Sequence, residues 1–422
     1  MPAYPKTRRR DALRLLARRA GARLRGGDAG AAIGAWLREQ TARLNSPDIV
    51  VDLIVRRVLF VSGRELSAHV LAAEPSERGF ASGTMKRKAM SFLAPHALTI
   101  AHDGEWRALR AYNETVLQPG RPHAHLPAVL SAVREAFAEP VKEIGDVRRR
   151  MGQVMLTVVF GKGNAPPHLV GDIQELFAEV NAKAALLGSR KKALRDRFKD
   201  ELRRLWQSGA GAGEPALLAH AREAAASVED PHANEETLVD QIPHWMFTFT
   251  NSGSDLLYRS LAMITARPET LAAVRREIAA AGKLDAPENA HALRLLEACI
   301  LEAGRLFPPV VVATHHAARE TSFQGKAIPA GTEMLQYFPF TNRDAARDPF
   351  ASHFRPERWL EPDATAFADY PNLFLSGARA CPGRSLIMFV EKAALAMLLG
   401  GGPVTPSHEA LRKDPLPVTF PA

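Results

Sequence analysis

Phe374-Leu-Ser-Gly377-Ala-Arg379-Ala-Cys381-Pro-Gly383 is followed at once by an apolar helical pattern that runs to Leu399. A lone cysteine, framed by glycines and an arginine and opening a long helix, is a place to hold a metal by thiolate. Backbone N–H groups and a helix N-terminus stabilise a thiolate. Gly377 and Gly383 permit backbone geometry that other residues resist, and they let the chain approach a flat ligand closely. Pro382 suits the first helical position, where its missing N–H costs nothing. Arg379 is a fixed cation suited to an anionic edge such as a carboxylate. Phe374 offers an aromatic wall. The bland alternative is a free cysteine buried at a helix start. The density of special residue types in so short a stretch argues against it.

The loop resembles Phe-x-x-Gly-x-Arg-x-Cys-x-Gly, the haem-binding signature of the cytochrome P-450 family. The resemblance implies that Cys381 is the proximal ligand of a haem b (iron protoporphyrin IX). It further implies that Arg379 pairs with a haem propionate and that Phe374 shields the sulfur.

Leu293 to Phe307 reads as an amphipathic helix, with Leu293, Leu296, Ile300 and Phe307 on one face and Pro308 and Pro309 after its end. Glu302 and Arg305 share a face, three residues apart. An exposed pair of this kind contributes little, but the apolar flanks favour a buried one. Glu302-Ala-Gly-Arg305 is similar to the family's Glu-x-x-Arg helix, and Phe354-Arg-Pro356-Glu-Arg358-Trp359 is similar to its arginine loop. The resemblance implies a structural charged triad of Glu302, Arg305 and Arg358. Trp106 and Arg110, four residues apart in Asp103-Gly-Glu-Trp106-Arg-Ala-Leu-Arg110, face the same way. The alternative there is a surface helix with a snorkelling arginine. The resemblance makes the two residues propionate contacts. His315 occupies the place, thirteen residues before Ile328, where family members commonly carry an arginine. A histidine can donate to a propionate but is fully charged only below its pKa; His316 is a rival.

Glu235 to Ala266 reads mostly as one long helix, which Pro243 should kink or shorten. By resemblance, Thr248-Phe-Thr-Asn251-Ser252-Gly253 stands at the family's oxygen-activation segment, usually Ala-Gly-x-acid-Thr-Thr. Asn251 then replaces the acid, Ser252 the threonine and Phe249 the glycine. A hydroxyl such as that of Ser252 can relay a proton, whereas an amide such as Asn251 can hold water but not change charge near neutral pH. Asp255, a turn further on, can substitute if it faces the same groove. The alternative is that these polar side chains bond back to carbonyls and bend the helix.

The chain has 422 residues, two cysteines and a formal charge of +9. No internal repeat or low-complexity linker interrupts it. Residues 1–30 read as a basic N-terminal segment, with Thr7 to Arg25 either a frayed terminus or an amphipathic surface helix. Residues 31–422 read as one mainly α domain with small β-sheets, an α+β class that matches the family fold, with haem between the central helix and the Cys381 helix. Strands are expected at Ile49 to Ile54, Arg57 to Val61, within Val310 to Tyr337, and at Val418 to Phe420. No run is long and apolar enough for a transmembrane anchor, which resembles the soluble bacterial branch. Two cysteines make no disulfide framework, so a cytoplasmic setting is expected. The basic charge suggests an acidic partner; no nucleic-acid module is recognisable.

The resemblance implies an oxidoreductase: a haem-thiolate monooxygenase acting on a small apolar organic substrate. Its electrons would come from NAD(P)H through an acidic ferredoxin or flavodoxin-type donor. A second reading, prompted by Asn251 and Ser252, is a haem-thiolate enzyme of atypical chemistry: peroxide-driven oxidation, ring closure, coupling or rearrangement. A third is a non-catalytic haem-binding sensor.

Overall fold

The computed structural model describes residues 3–8, 10–11, 13–15, 17, 29–53, 56–184, 191–344, 348–360, 370 and 373–400. Most of Thr7 to Arg25 and all of Val418 to Phe420 lie outside these. The chain divides into two compact units, one built on Met1–Thr84 with Leu301–Ala380, the other on Met85–Ile300 with the described residues from Cys381 to Gly400.

The first unit is organised by a five-stranded sheet. Its strands are β1 (Ile49–Leu53), β2 (Arg56–Val61), β3 (Phe80–Ser82), β4 (Val312–Ala317) and β7 (Thr332–Tyr337), in the order β1-β2-β7-β4-β3. Only β2 and β7 run parallel. A separate hairpin joins β5 (Thr321–Phe323) and β6 (Lys326–Ile328). β-branched and aromatic residues dominate β1 and β2, as a sheet buried on both faces requires. Side chains alternate across the pleat. Leu59, Val61 and Met334 join one apolar cluster with Leu66 and Val70, whose helix spans Arg64–Ala72. Phe60, Ile49, Val51 and Tyr337 join another with Trp36 and Leu37. His315 pairs with Met334 in register, so it shares the face covered by the Arg64–Ala72 helix.

The second unit is helical. Helices Asp103–Leu117, Ile144–Phe160 and Ser254–Thr265 bury apolar faces that include Leu109, Val154 and Leu261. A buried Leu or Val contributes about 1.5–3 kcal/mol. Helix Arg384–Gly400 is apolar nearly all round and is correspondingly buried along most of its length.

The expected long helix over Glu235 to Ala266 is four pieces. Two short α-helices, Glu235–Val239 and Gln241–Phe247, are followed by a π-helical turn at Thr248–Gly253 and an α-helix at Ser254–Thr265. Pro243 explains the restart. It is the third residue of its piece, where its missing N–H would have had no helical partner. The π turn absorbs one extra residue, a device found often at functional sites.

Candidate haem-thiolate site

In the first unit the loop before Cys381 is held in unusual backbone. Phe374 and Leu375 both adopt left-handed conformations (φ 57° and 58°), and Gly377 follows at φ 58°. Such geometry is strained for residues with a side chain. A Cβ on Gly377 would stand 2.6 Å from Ala72 Cα, so only glycine lets the loop lie against the Arg64–Ala72 helix. Arg379 Nε and Nη2 donate to the carbonyls of Ala73 (3.2 Å) and Phe80 (2.6 Å). Among the described residues no carboxylate pairs with Arg379. Burial pulls its guanidinium down to about 10. A desolvated cation with only neutral partners is electrostatically incomplete.

In the second unit the Cys381 sulfur accepts hydrogen bonds from the Gly383 and Arg384 N–H groups. Burial pushes the thiol up, while these N–H groups and the cations of Arg110 and Arg384 pull it back down. The balance keeps the proton on sulfur until a metal cation supplies the missing stabilisation. The helix begins at Arg384, so Pro382 is not its first residue as expected but lies in the preceding turn. The physical reason is the preceding turn, closed by the Arg384 amide donating to the Cys381 carbonyl at 3.4 Å. The nearest atom to a Cβ on Gly383 would be Leu117 Cδ1 at 3.9 Å, so protein neighbours do not dictate this glycine. The chemistry of Cys381, Arg379 and Gly383 fits haem, to which they would offer a thiolate, a propionate partner and room for a flat ring.

Trp106 is buried and Arg110 mostly so, on helix Asp103–Leu117. Arg110 Nε donates to Glu114 at 2.6 Å while its charge still reaches Cys381. His315 is buried on β4, where its Nε2 meets Gln336 Oε1 at 3.0 Å, and Gln336 in turn donates to Ser67. His316 points to the opposite face, 3.4 Å from Glu333.

The structure brings Glu302, Arg305 and Arg358 together. Arg305 grips both Glu302 oxygens (2.8 and 2.7 Å), and its remaining donors reach the carbonyls of Asn342, Ala351 and His353. Arg358 Nε donates to Glu302 Oε1 at 3.2 Å, and the Trp359 indole and Arg355 amide complete the carboxylate. Against a large desolvation penalty, these partners hold Glu302 below the usual carboxylate range.

In the π turn, Thr248, Thr250 and Asn251 bond back to the carbonyls of Trp245 (2.8 Å), Met246 (3.1 Å) and Phe247 (3.2 Å). Among the described residues the Ser252 hydroxyl donates no hydrogen bond. Asp255 is paired with Arg148 at 2.9 Å. Gly253 faces both neighbouring helices: a Cβ there would meet Ile387 of the Cys381 helix at 3.0 Å and Met151 at 3.1 Å. Along Gln241 to Ser260 the partly accessible residues are His244, Thr248, Asn251, Ser252, Asp255 and Arg259, while the rest are buried. That spacing marks one wetted stripe on an otherwise enclosed helix.

A family model described as "Cytochrome P450" matches residues 192–401, about half of the chain. The chain belongs to the cytochrome P-450 family. Among its relatives, "Cytochrome P450 734A5" of Oryza sativa subsp. japonica is 29% identical over 169 residues, 38% of this chain and 32% of that protein. "Cytochrome P450 monooxygenase BOT4" of Botryotinia fuckeliana is 31% identical over 182 residues, 41% and 34% of the two chains. "Cytochrome P450 monooxygenase 91" of Postia placenta is 26% identical over 333 residues, 70% and 60%. The chain thus spans about a third of the length of the first two. These P-450 relatives are from a plant and two fungi, so they lend no support to a bacterial branch. Among the described residues no helix is long and apolar enough to cross a membrane.

Val310, Val311 and Val312 are 51%, 38% and 38% exposed, an apolar run that leads from the Glu302 helix into the start of β4. The run of valines beyond Pro309 was visible; its exposure was not, because strand valines are usually buried.

Proposed function

We propose that the chain is a haem-thiolate monooxygenase that oxidises a small, largely apolar organic molecule. The observation that carries this is the Cys381 turn, where the Gly383 and Arg384 amides favour the thiolate, two residues along the chain from the uncompensated Arg379. Cys381 would bind the iron of haem b, and Arg379, Trp106 and Arg110 would hold its propionates. His315 is a weaker propionate candidate, since Gln336 already occupies its Nε2. Phe374 would shield the sulfur. When bound, haem supplies the activation of oxygen and the oxidising power; the protein's part is orientation and proton traffic.

In this reading Ser252 Oγ moves the proton. Its hydroxyl is accessible and donates no hydrogen bond among the described residues, whereas Thr248 and Thr250 are turned back to carbonyls. Asn251 steadies water beside it, with its amide also anchored to Phe247 O. Asp255 is less apt, because Arg148 neutralises it. Exposed Val310 to Val312 would offer substrate an apolar wall. Electrons would come from NAD(P)H through a separate acidic ferredoxin or flavodoxin-type protein, which suits the basic chain. Among the described residues the two cysteines form no disulfide, which suits the cytoplasm. Ser252→Ala is expected to divert reducing equivalents into free peroxide by about tenfold or more. Unchanged coupling of NAD(P)H to product would remove Ser252 from the relay.

A second reading follows from Asn251 standing where an acid is usual: oxidation driven by added peroxide, or a ring closure or coupling. Turnover measured with NAD(P)H plus a surrogate ferredoxin chain, and separately with peroxide alone, decides between them. Product only with NAD(P)H supports monooxygenation; product from peroxide alone favours the second.

A further inference from the structure

Three histidines of the second unit pack ring on ring, apart from every residue used so far. Ring centres lie 5.1 Å apart for His123 and His125, 6.2 Å for His123 and His220, and 5.8 Å for His125 and His220. His123 and His125 stand in the connection between helices Asp103–Leu117 and Leu126–Ala136; His220 is on helix Leu217–Ala226. His123 is complete. Its Nε2 donates to the Val116 carbonyl at 2.9 Å, and its Nδ1 accepts from the His125 amide at 3.1 Å.

The other two rings are not complete. His125 Nε2 and His220 Nδ1 are both buried, and among the described residues neither has a hydrogen-bond partner. A buried nitrogen left in that state forfeits the hydrogen bond it had in water. Two of them on neighbouring rings call for a shared partner. Two imidazoles bound to one tetrahedral ion, at about 2.0–2.1 Å from each nitrogen, have ring centres about 5–6 Å apart. The His125 and His220 rings meet that condition.

The geometry points to a transition-metal site in which His125 Nε2 and His220 Nδ1 hold one Zn²⁺ or Cu²⁺ ion. Among the described residues no three His, Cys, Asp or Glu side chains form a metal-holding group, so the site would have these two protein ligands. Water would complete the shell. Soft-to-borderline ions that favour imidazole fit; Mg²⁺ and Ca²⁺, which want oxygen, do not.

The site's position gives it a consequence. The Gly120 amide, in the same connection, donates to Ser385 Oγ at 2.9 Å in the first turn of the Cys381 helix. An ion at His125 and His220 would therefore brace this connection, which is bonded to the first turn of the Cys381 helix, against helix Leu217–Ala226.

The test is calorimetric titration of the EDTA-stripped full chain with ZnCl₂. One saturable site is expected, weakened at least about tenfold by either His125→Gln or His220→Gln. His168→Gln, which alters an exposed histidine elsewhere, should leave it intact. Absence of saturable binding, or a site that survives both substitutions, would overturn the assignment and leave only water between the rings. Should a variant fail to fold, Cu²⁺ paramagnetic resonance of the unaltered protein decides. Two coordinated nitrogens support the site, and one or none contradicts it.

Discussion

Arg305 and Arg379 are both desolvated arginines of the first unit, yet they stand in opposite conditions. Arg305 is fully buried, grips Glu302 with two donors and reaches three carbonyls with the others. Arg379 has two carbonyls and, among the described residues, no anion. The first site is complete as folded. The second is complete only when something anionic arrives. A buried charge that the protein satisfies is part of the scaffold; one that it leaves unsatisfied marks where a ligand belongs.

Breaking the complete site should cost the most. Glu302→Gln strips two arginines of their carboxylate and is expected to lower unfolding free energy by about 3–5 kcal/mol. Urea titration reads this directly, and a loss below about 1 kcal/mol would mean the cluster is not the scaffold it is taken for. Because the Glu302 pKa is depressed in the fold, its contribution is present above the ordinary carboxylate value. It fades as pH falls through the lower folded value.

A third buried ionisable group sharpens the contrast. Glu391, on the Cys381 helix, is fully buried, and neither carboxylate oxygen has a partner among the described residues. Burial raises its pKa well above 4.5. A carboxyl with a raised folded pKa favours the fold below that ordinary value and loses this advantage as pH rises through the folded one. Glu391→Leu should therefore stabilise the protein by about 1–3 kcal/mol at pH 7. The gain should shrink as pH falls toward 4.5. Melting curves across that range check it; a gain independent of pH would point to packing instead.

The incomplete site should respond least in stability and most in ligand retention. Arg379→Met is expected to change the stability of the haem-free protein by no more than about 1 kcal/mol. Haem affinity should fall about tenfold to a hundredfold. Transfer of haem to a competing apoprotein measures the second quantity. Unaltered retention would show that Arg379 serves the loop and not a propionate.

The two sites were also unequally legible. Glu302 and Arg305 were readable because three residues on a helix fix a shared face whatever the rest of the chain does. The Cys381 loop was readable because its residue types are rare together. The π turn was not: it arises where the Pro243 restart, the back-bonding of Thr248, Thr250 and Asn251, and the packing of Gly253 on Ile387 coincide. Only the last of these lies far off in sequence. Similarly, the capture of His315 by Gln336 depends on strand register, which β4 alone does not announce. The burial of Glu391 depends on what packs against its helix, which the local sequence does not specify.

The bond between the Cys381 sulfur and iron is the claim on which the rest depends, and the carbon-monoxide complex of the reduced protein tests it most directly. The unaltered chain should give the strongly red-shifted Soret band of a thiolate-ligated haem, and Cys381→Ser should lose it. The same red-shifted band persisting in the serine variant would contradict the assignment.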